Sequence, residues 1–175
     1  MTSPQGSVEI TLEEWEFEWA THVGTQRHEI RKGSRDAPHY DPNRMEDNLR
    51  ASVAACCAEI AVAKHHSAYW GGHYWPVNQH KLYKGLADVE PFYEVRRIRE
   101  PGNPLPIRKR DVDAERINVL AWPDPNTFFQ VVYVIGEISA EDGWECGRPA
   151  FYDPTGTRLV DQAFLDHYGR IKKAA

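Results

Sequence analysis

Four charged side chains in the middle of the chain have the types that bind a divalent metal ion or pair with one another: Glu59, Asp88, Glu94 and Arg96. If residues 92–98 form a strand, Glu94 and Arg96 lie on one face of it, because side chains alternate along a strand. Asp88 precedes that strand by a short connection, which can bring its carboxylate beside Glu94. Two carboxylates with a cation nearby can hold Mg²⁺ or Mn²⁺, which prefer oxygen ligands and activate water. The same spacing also suits an ordinary salt bridge on a solvated sheet face.

Glu59 lies within a run of small residues that predicts a helix. Its neighbours one turn away, Ala55, Cys56 and Ala63, are small and apolar, and no basic residue stands three or four positions from it. A carboxylate in such surroundings needs a partner from elsewhere in the fold, either an Arg, a Lys or a metal ion. The alternative is a surface Glu in contact with water.

Basic residues are concentrated directly after the predicted strand. Six of the positions from 96 to 110 are Arg or Lys, and Glu100 is the one acid among them. In a chain of net charge −5, such a block is a candidate phosphate-binding face. Pairing with the excess of acidic residues is the alternative. Besides Arg96, the block consists of Arg97, Arg99, Arg108, Lys109 and Arg110.

Two helices are predicted ahead of the strands. Thr11 and Glu14 fit a capping box at the start of the first helix. An apolar spacing that includes Trp15, Trp19 and Val23 predicts the buried face of that helix. The second helix is predicted from about 45 to 68, and it carries Glu59 on a stripe of Ala and other small residues.

The second half of the chain changes to the pattern of short strands. Segments 92–98, 106–108, 118–122 and 128–138 are rich in β-branched and aromatic residues or lie between turn residues. A polar turn is predicted at 111–115 and a short terminal helix at 161–173. Helices followed by strands indicate an α+β fold, and no linker divides the chain, so a single domain over residues 1–175 is predicted.

Composition excludes several classes of protein. The 175 residues suit one domain, and the sequence contains no apolar run of the roughly 18 residues that a membrane span requires. With 21 Lys and Arg against 26 Asp and Glu, the chain does not resemble a protein that coats DNA non-specifically. Three cysteines fit a reducing compartment, and we therefore expect a cytoplasmic location.

Aromatic residues surround the pair Gly71-Gly72. Tyr69, Trp70, Tyr74 and Trp75 have the ring faces on which nucleic-acid bases can stack. A loop that covers the end of a helix commonly packs such residues against the protein instead, and this is the competing interpretation.

The order of these segments resembles the PD-(D/E)XK nuclease superfamily. More narrowly, it is similar to a group of small proteins that are frequent in bacteriophage genomes. The resemblance covers residues 8–142 and leaves 143–175 as a C-terminal extension. The matching segments are 58–64, 69–70, 87–89, 93–96 and 107–111, together with the first helix at 12–15.

This resemblance implies a restriction-endonuclease-like core, in which two N-terminal helices pack on a mixed β-sheet. Asp88 and Glu94 would bind the divalent ion, Mg²⁺ or Mn²⁺, together with the carbonyl of Val95. Glu59 would be the carboxylate that the helix contributes to the same site.

One residue departs from the superfamily pattern. Arg96 stands where the superfamily has its catalytic Lys. An Arg side chain does not readily lose a proton, so it cannot act as a general base, but it can orient a hydroxide or stabilise charge on a phosphate. Lys64 and Lys109 are candidates to replace the missing amine.

Two functions are compatible with these observations. The first is a metal-dependent nuclease-like protein that hydrolyses phosphodiester bonds, with DNA favoured over RNA as its substrate. The second is a nuclease-fold protein without catalysis that serves as a nucleic-acid-binding or protein-interaction module, such as a phage structural or accessory component. The second function implies a protein partner or a homo-oligomer. A phage origin would place either protein in the cytoplasm of the bacterial host.

Overall fold

A computed structural model describes residue 4 and residues 6–31, 47–76, 79 and 85–167 of the chain. Within these ranges, no helix is long and apolar enough to cross a bilayer. The regular elements are β1 (Val8–Thr11), α1 (Glu14–Arg31), α2 (Asn48–His66), β2 (Tyr93–Arg97), β3 (Leu105–Arg108), α3 (Lys109–Asp113), β4 (Ile117–Pro123), β5 (Val131–Ser139), α4 (Ala140–Cys146), β6 (Arg148–Ala150), β7 (Asp153–Val160) and β8 (Asp166–His167).

The larger sheet is mixed and has the strand order β1-β5-β4-β2, with β8 also paired to β5. Strands β2 and β4 run parallel, whereas β1, β4 and β8 are antiparallel to β5. The two long helices precede four of these five strands in the chain. The predicted α+β class is therefore confirmed.

A smaller antiparallel sheet has the order β3-β7-β6. Its register pairs Leu105 with Val160 and Arg108 with Thr157. Strands β6 and β7 come from the segment beyond residue 142, whereas β3 comes from the segment that carries the basic block. The predicted extension is thus hydrogen-bonded to the region that precedes it.

Two apolar cores lie on opposite faces of the larger sheet. The first core joins α2 to the sheet and includes Val95, Val119 and Val134. The second core lies between the two sheets and includes Leu120 and Trp122. Alternation along β4 accounts for this division, because Val119 and Leu120 point to opposite faces.

The first helix differs from its prediction in both its start and its buried face. Thr11 ends β1, which the sequence did not predict, and the backbone N–H of Glu13 donates to the Glu16 carboxylate at 2.7 Å. Trp15 is 65% exposed and Trp19 is 42% exposed, so the prediction that these two residues are buried was wrong. The buried residues of α1 are Glu16, Ala20, Val23 and Gly24.

Other predicted boundaries also shift. The second helix spans Asn48–His66, and positions 45 and 46 lie outside the described residues. The polar turn predicted at 111–115 is confirmed only at 114–115, because Lys109–Asp113 forms a short helix. The terminal helix predicted at 161–173 is not present in its described part, where a single 3₁₀ turn at Gln162–Phe164 precedes β8. Positions 168–173 lie outside the description.

Gly24 allows α1 and α2 to approach each other closely. A Cβ atom at this position would lie 2.7 Å from the Cα of Val53 and 2.8 Å from its backbone nitrogen. Because backbone atoms cannot move aside as a flexible side chain can, we expect Gly24→Ala to lower the free energy of unfolding by about 1–3 kcal/mol. Urea denaturation followed by circular dichroism measures this change.

Gly85→Ala is the matched control, since a Cβ there would meet no atom within 4 Å. Its expected effect is below about 0.5 kcal/mol. Equal stabilities of the two variants would contradict the helix contact described for Gly24.

Candidate functional site

A tight turn places Asp88 beside strand β2. Val89 and Tyr93 exchange two backbone hydrogen bonds, Val89 N–H to Tyr93 C=O at 3.1 Å and Tyr93 N–H to Val89 C=O at 3.0 Å. The next antiparallel pair along this turn is Asp88 and Glu94. The backbone N–H of Val95 also donates to Asp88 Oδ2 at 3.0 Å. The two predicted metal-binding carboxylates are therefore neighbours at the start of the strand.

Glu94 and Arg96 lie on the face of the sheet that is turned away from α2. In the parallel register, Glu94 is opposite Asn118 and Arg96 is opposite Leu120, a residue of the second core. Val95, between them, belongs to the first core beneath α2. Glu59 on α2 and Glu94 on β2 therefore approach the outer edge of β2 from opposite faces, and Asp88 lies along that edge.

Arg96 is held by three acceptors. Its Nη1 donates to Glu94 Oε1 at 2.9 Å, its Nη2 to Asp111 Oδ2 at 2.6 Å, and its Nε to the carbonyl of Pro106 at 3.2 Å. The same Asp111 oxygen accepts the backbone N–H of Arg108 at 3.0 Å. Arg96 thus forms the salt bridge that its spacing from Glu94 allowed, and Asp111 is a second partner that the sequence analysis missed.

Glu59 has both of its carboxylate oxygens engaged. Oε1 accepts from Arg27 Nη1 at 2.6 Å, and Oε2 accepts from Trp70 Nε1 at 2.8 Å. Arg27 also donates from Nε to the carbonyl of His73 at 2.9 Å. The partner that Glu59 needs is an Arg on α1, and Trp70 is buried against it.

Arg27 was not identified from the sequence, although a signal for it exists. It lies four residues beyond Val23 and seven beyond Ala20, on the helical stripe that faces α2. An Arg on a buried stripe implies a buried acid on the facing helix, and Glu59 is the one acid of α2. If the stripe that contains Ala20, Val23 and Arg27 is taken as the buried face of α1, the sequence predicts the pairing of Arg27 with Glu59.

Burial and mutual repulsion change the acidity of the carboxylates. Burial and the nearby Glu59 raise the pKa of Asp88 to about 6, against the opposing effects of Arg96 and Arg27. Burial and the neighbouring Asp88 also raise the pKa of Glu94. Although burial alone would lower the pKa of Arg96, Glu94 and Asp111 raise it above its ordinary value, so this guanidinium stays charged.

Neither candidate lysine contacts these carboxylates. Lys64 Nζ binds Glu16 Oε2 at 2.8 Å and the carbonyl of Thr11 at 3.2 Å, at the start of α1. Lys109 Nζ lies 3.4 Å from Asp113 Oδ1 within α3. Both ammonium groups are engaged away from Asp88, and neither arrangement supplies the amine that Arg96 replaces.

The basic block is partly neutralised by local pairs. Arg110 lies between two acids, with Nη2 3.6 Å from Glu94 Oε1 and Nε 3.7 Å from Asp111 Oδ1. Arg108 is half-buried, and burial together with the neighbouring Arg96 lowers its pKa. Arg97 ends β2, and Arg99 lies exposed just beyond it. The structure therefore contains several of the local ion pairs that the alternative interpretation of this block anticipated.

A cavity of about 250 Å³ opens next to Glu94. Arg110 and Arg116 contribute its basic side chains, and Glu94 and Asp111 its acidic ones. Beside Glu94 on the sheet, Asn118 is fully buried, and among the described residues neither its Oδ1 nor its Nδ2 finds a hydrogen-bond partner. A buried amide is stabilised by such partners, so this position is a polar one within the sheet.

The described ranges contain no group of three or more His, Cys, Asp or Glu side chains arranged to hold a metal ion. Two of the predicted metal ligands are instead paired with Arg residues, Glu59 with Arg27 and Glu94 with Arg96. Asp88 accepts the Val95 N–H and forms no direct ion pair with any described residue. Comparisons with protein-family models, with curated proteins and with solved structures find no match to this chain.

Proposed function

We propose that the chain is a metal-dependent, nuclease-like protein with a restriction-endonuclease-like core that hydrolyses phosphodiester bonds of DNA. The observation that carries this proposal is the position of Asp88. Its carboxylate lies opposite Glu94, is crowded by Glu59, and has a pKa raised to about 6. Crowded carboxylates at the edge of a sheet gain stability from a bound cation, and the cavity lined by Arg110 and Arg116 offers room for a phosphate beside them.

Two of the three predicted carboxylates, Asp88 and Glu94, suit a magnesium ion, whereas Glu59 does not. Mg²⁺ commonly takes only one or two carboxylates and completes its coordination with water and phosphate oxygens. Asp88 would be one such ligand, and Glu94 would offer Oε2, because its Oε1 accepts from Arg96. Glu59 is committed to Arg27, and we therefore assign it to positioning rather than to the ion. When bound, the ion would polarise the phosphate and lower the pKa of a water.

Arg96 has hydrogen-bond donors to spare for a substrate. A guanidinium carries five N–H groups, and Glu94, Asp111 and Pro106 use three of them. Among the described residues, Nη1 and Nη2 have one hydrogen-bond acceptor each, so one N–H on each is open to a phosphate that reaches this side chain, which is 10% exposed. Because this group stays charged, it can stabilise the negative charge that develops on a phosphate during attack, although it cannot take up a proton.

Cleavage of supercoiled plasmid and of single-stranded DNA with Mg²⁺ or Mn²⁺ tests the proposal. We expect Glu94→Ala to reduce the rate more than about a hundredfold, since several kcal/mol of transition-state stabilisation would be lost. Glu94→Gln keeps the volume and one acceptor for Arg96, so it separates a loss of chemistry from a loss of folding. Cleavage at equal rates by the wild type and both variants would refute this assignment.

A second candidate function is binding of nucleic acid without cleavage. The observation that favours it is the closed set of ion pairs, in which Arg96 joins Glu94 to Asp111 and Arg27 holds Glu59. In this case the wild type would not cleave DNA, and its affinity would fall steeply as salt concentration rises. Arg110→Gln would reduce both the affinity and the salt dependence. An affinity independent of salt would argue against contact with phosphates.

A further inference from the structure

The exposed aromatic face of α1 has no role in the proposed site. Trp15 and Trp19 stand one turn apart on the helix, and they are 65% and 42% exposed. The ring of His22 stacks on Trp19 at a centroid distance of 5.5 Å, and Tyr74 meets His22 edge-on at 6.0 Å. We call these four residues the α1 aromatic face. Exposed aromatic residues in a continuous row mark an interaction surface more often than isolated ones do.

This row of rings is held in a fixed arrangement. Gly72 adopts a positive φ of 58°, and a Cβ at that position would lie 2.9 Å from Trp19 Nε1. The segment that carries Tyr74 is therefore packed directly against the helix. On the other side of the same segment, Arg27 binds the His73 carbonyl. A partner would meet a preformed surface, which lowers the entropic cost of binding.

The charge around the α1 aromatic face is negative. Positions 14–26 include Glu14, Glu16 and Glu18 and contain no Lys or Arg. Glu16 is buried and paired with Lys64, whereas Glu14 and Glu18 are exposed beside the two Trp rings. In the part of the chain that the structure describes, neither exposed Glu forms an ion pair. Nucleic-acid phosphates would be repelled by this surface.

We infer that the α1 aromatic face binds an arginine-bearing segment of a partner protein. A guanidinium stacks on the face of a Trp ring and at the same time donates hydrogen bonds to a carboxylate. Trp15 and Trp19 supply the rings, and Glu14 and Glu18 supply carboxylates next to them.

Fluorescence anisotropy with a short labelled peptide of alternating arginine and glycine tests this inference. We expect the full-length protein to bind this peptide, and the same peptide with citrulline in place of arginine to lose binding. The double variant Trp15→Ala/Trp19→Ala should weaken the affinity about tenfold or more. Glu14→Gln/Glu18→Gln should weaken it by a smaller factor and reduce its dependence on salt.

Phe151→Ala is the matched control. Phe151 is 91% exposed in the turn between β6 and β7, so its removal tests for a general effect of losing an exposed ring. The inference is overturned if the arginine peptide does not bind at about 1 mM, or if the Trp variant binds it as well as the wild type does. It is also overturned if these Trp residues instead support binding of single-stranded DNA or self-association measured by sedimentation. Thermal melts confirm that each variant is folded.

Discussion

Arg27→Leu is expected to lower the free energy of unfolding by about 3–5 kcal/mol. The Arg27 side chain is 19% exposed and that of Glu59 is 7% exposed, and their oxygen-to-nitrogen distance is 2.6 Å. Removing the guanidinium leaves a buried carboxylate without compensation, and the His73 carbonyl loses its donor as well. Urea denaturation at pH 7 measures the effect.

A double variant distinguishes the loss of the pair from the loss of packing. In Arg27→Leu/Glu59→Gln the buried charge is removed, and the Gln carbonyl can still accept from Trp70, which donates to Glu59 at 2.8 Å. Most of the lost stability should therefore return. Lys109→Ala breaks an exposed pair with Asp113 and should cost less than about 1 kcal/mol. A change within about 1 kcal/mol for Arg27→Leu itself would show that the pair contributes little.

The elements of this fold were predictable where a local pattern determines them. Small residues around Glu59 predicted α2, because helix propensity and burial agree there. β-branched and aromatic residues at 128–138 predicted a strand for the same reason, and β5 spans Val131–Ser139. The predicted face of α1 was wrong at Trp15 and Trp19, which fit the apolar period and yet lie on the surface, and it was right at Val23, which is buried. The buried stripe contains Glu16 instead, whose charge is compensated by Lys64 from the neighbouring helix. That compensation is a tertiary contact and has no local signal.

The candidate site also combines contacts that the sequence predicts locally with contacts that arise only in the folded structure. The turn that places Asp88 beside Glu94 could be predicted, since both residues are close in sequence. Pairing of Glu59 with Arg27 joins two helices, and pairing of Arg96 with Asp111 joins β2 to α3. Residue types alone could not choose between a metal ion and these guanidinium partners, because each compensates a buried carboxylate. The three-dimensional arrangement assigns an Arg partner to Glu59, whereas Asp88 forms no direct ion pair with any residue that the structure describes.

Asp88→Asn is expected to have opposite effects on stability and on cleavage. The carboxylate costs stability at neutral pH because burial and Glu59 raise its pKa from 3.8 to about 6. An Asn retains an oxygen that can accept the Val95 N–H and carries no charge. We therefore expect the free energy of unfolding at pH 7 to rise by about 3 kcal/mol. The rate of DNA cleavage should fall more than about a hundredfold, because a proposed ligand of the ion is lost.

The pH dependence gives this prediction a definite sign. Between pH 4 and pH 6 the folded wild type still holds the proton of Asp88, whereas the unfolded chain has released it. The stability that the protonated Asp88 side chain gives the wild type is therefore complete below about pH 4 and is lost as the pH rises through 6. The free energy of unfolding of Asp88→Asn should exceed that of the wild type by an amount that grows over that interval. Asp161→Asn, at an exposed position, should show no such growth. A stability difference that is constant with pH would mean that burial and Glu59 do not raise the pKa of Asp88. Residues kept for function are commonly those whose replacement stabilises the fold. A gain in stability without a loss of cleavage would therefore show that the Asp88 carboxylate destabilises the fold but takes no part in cleavage.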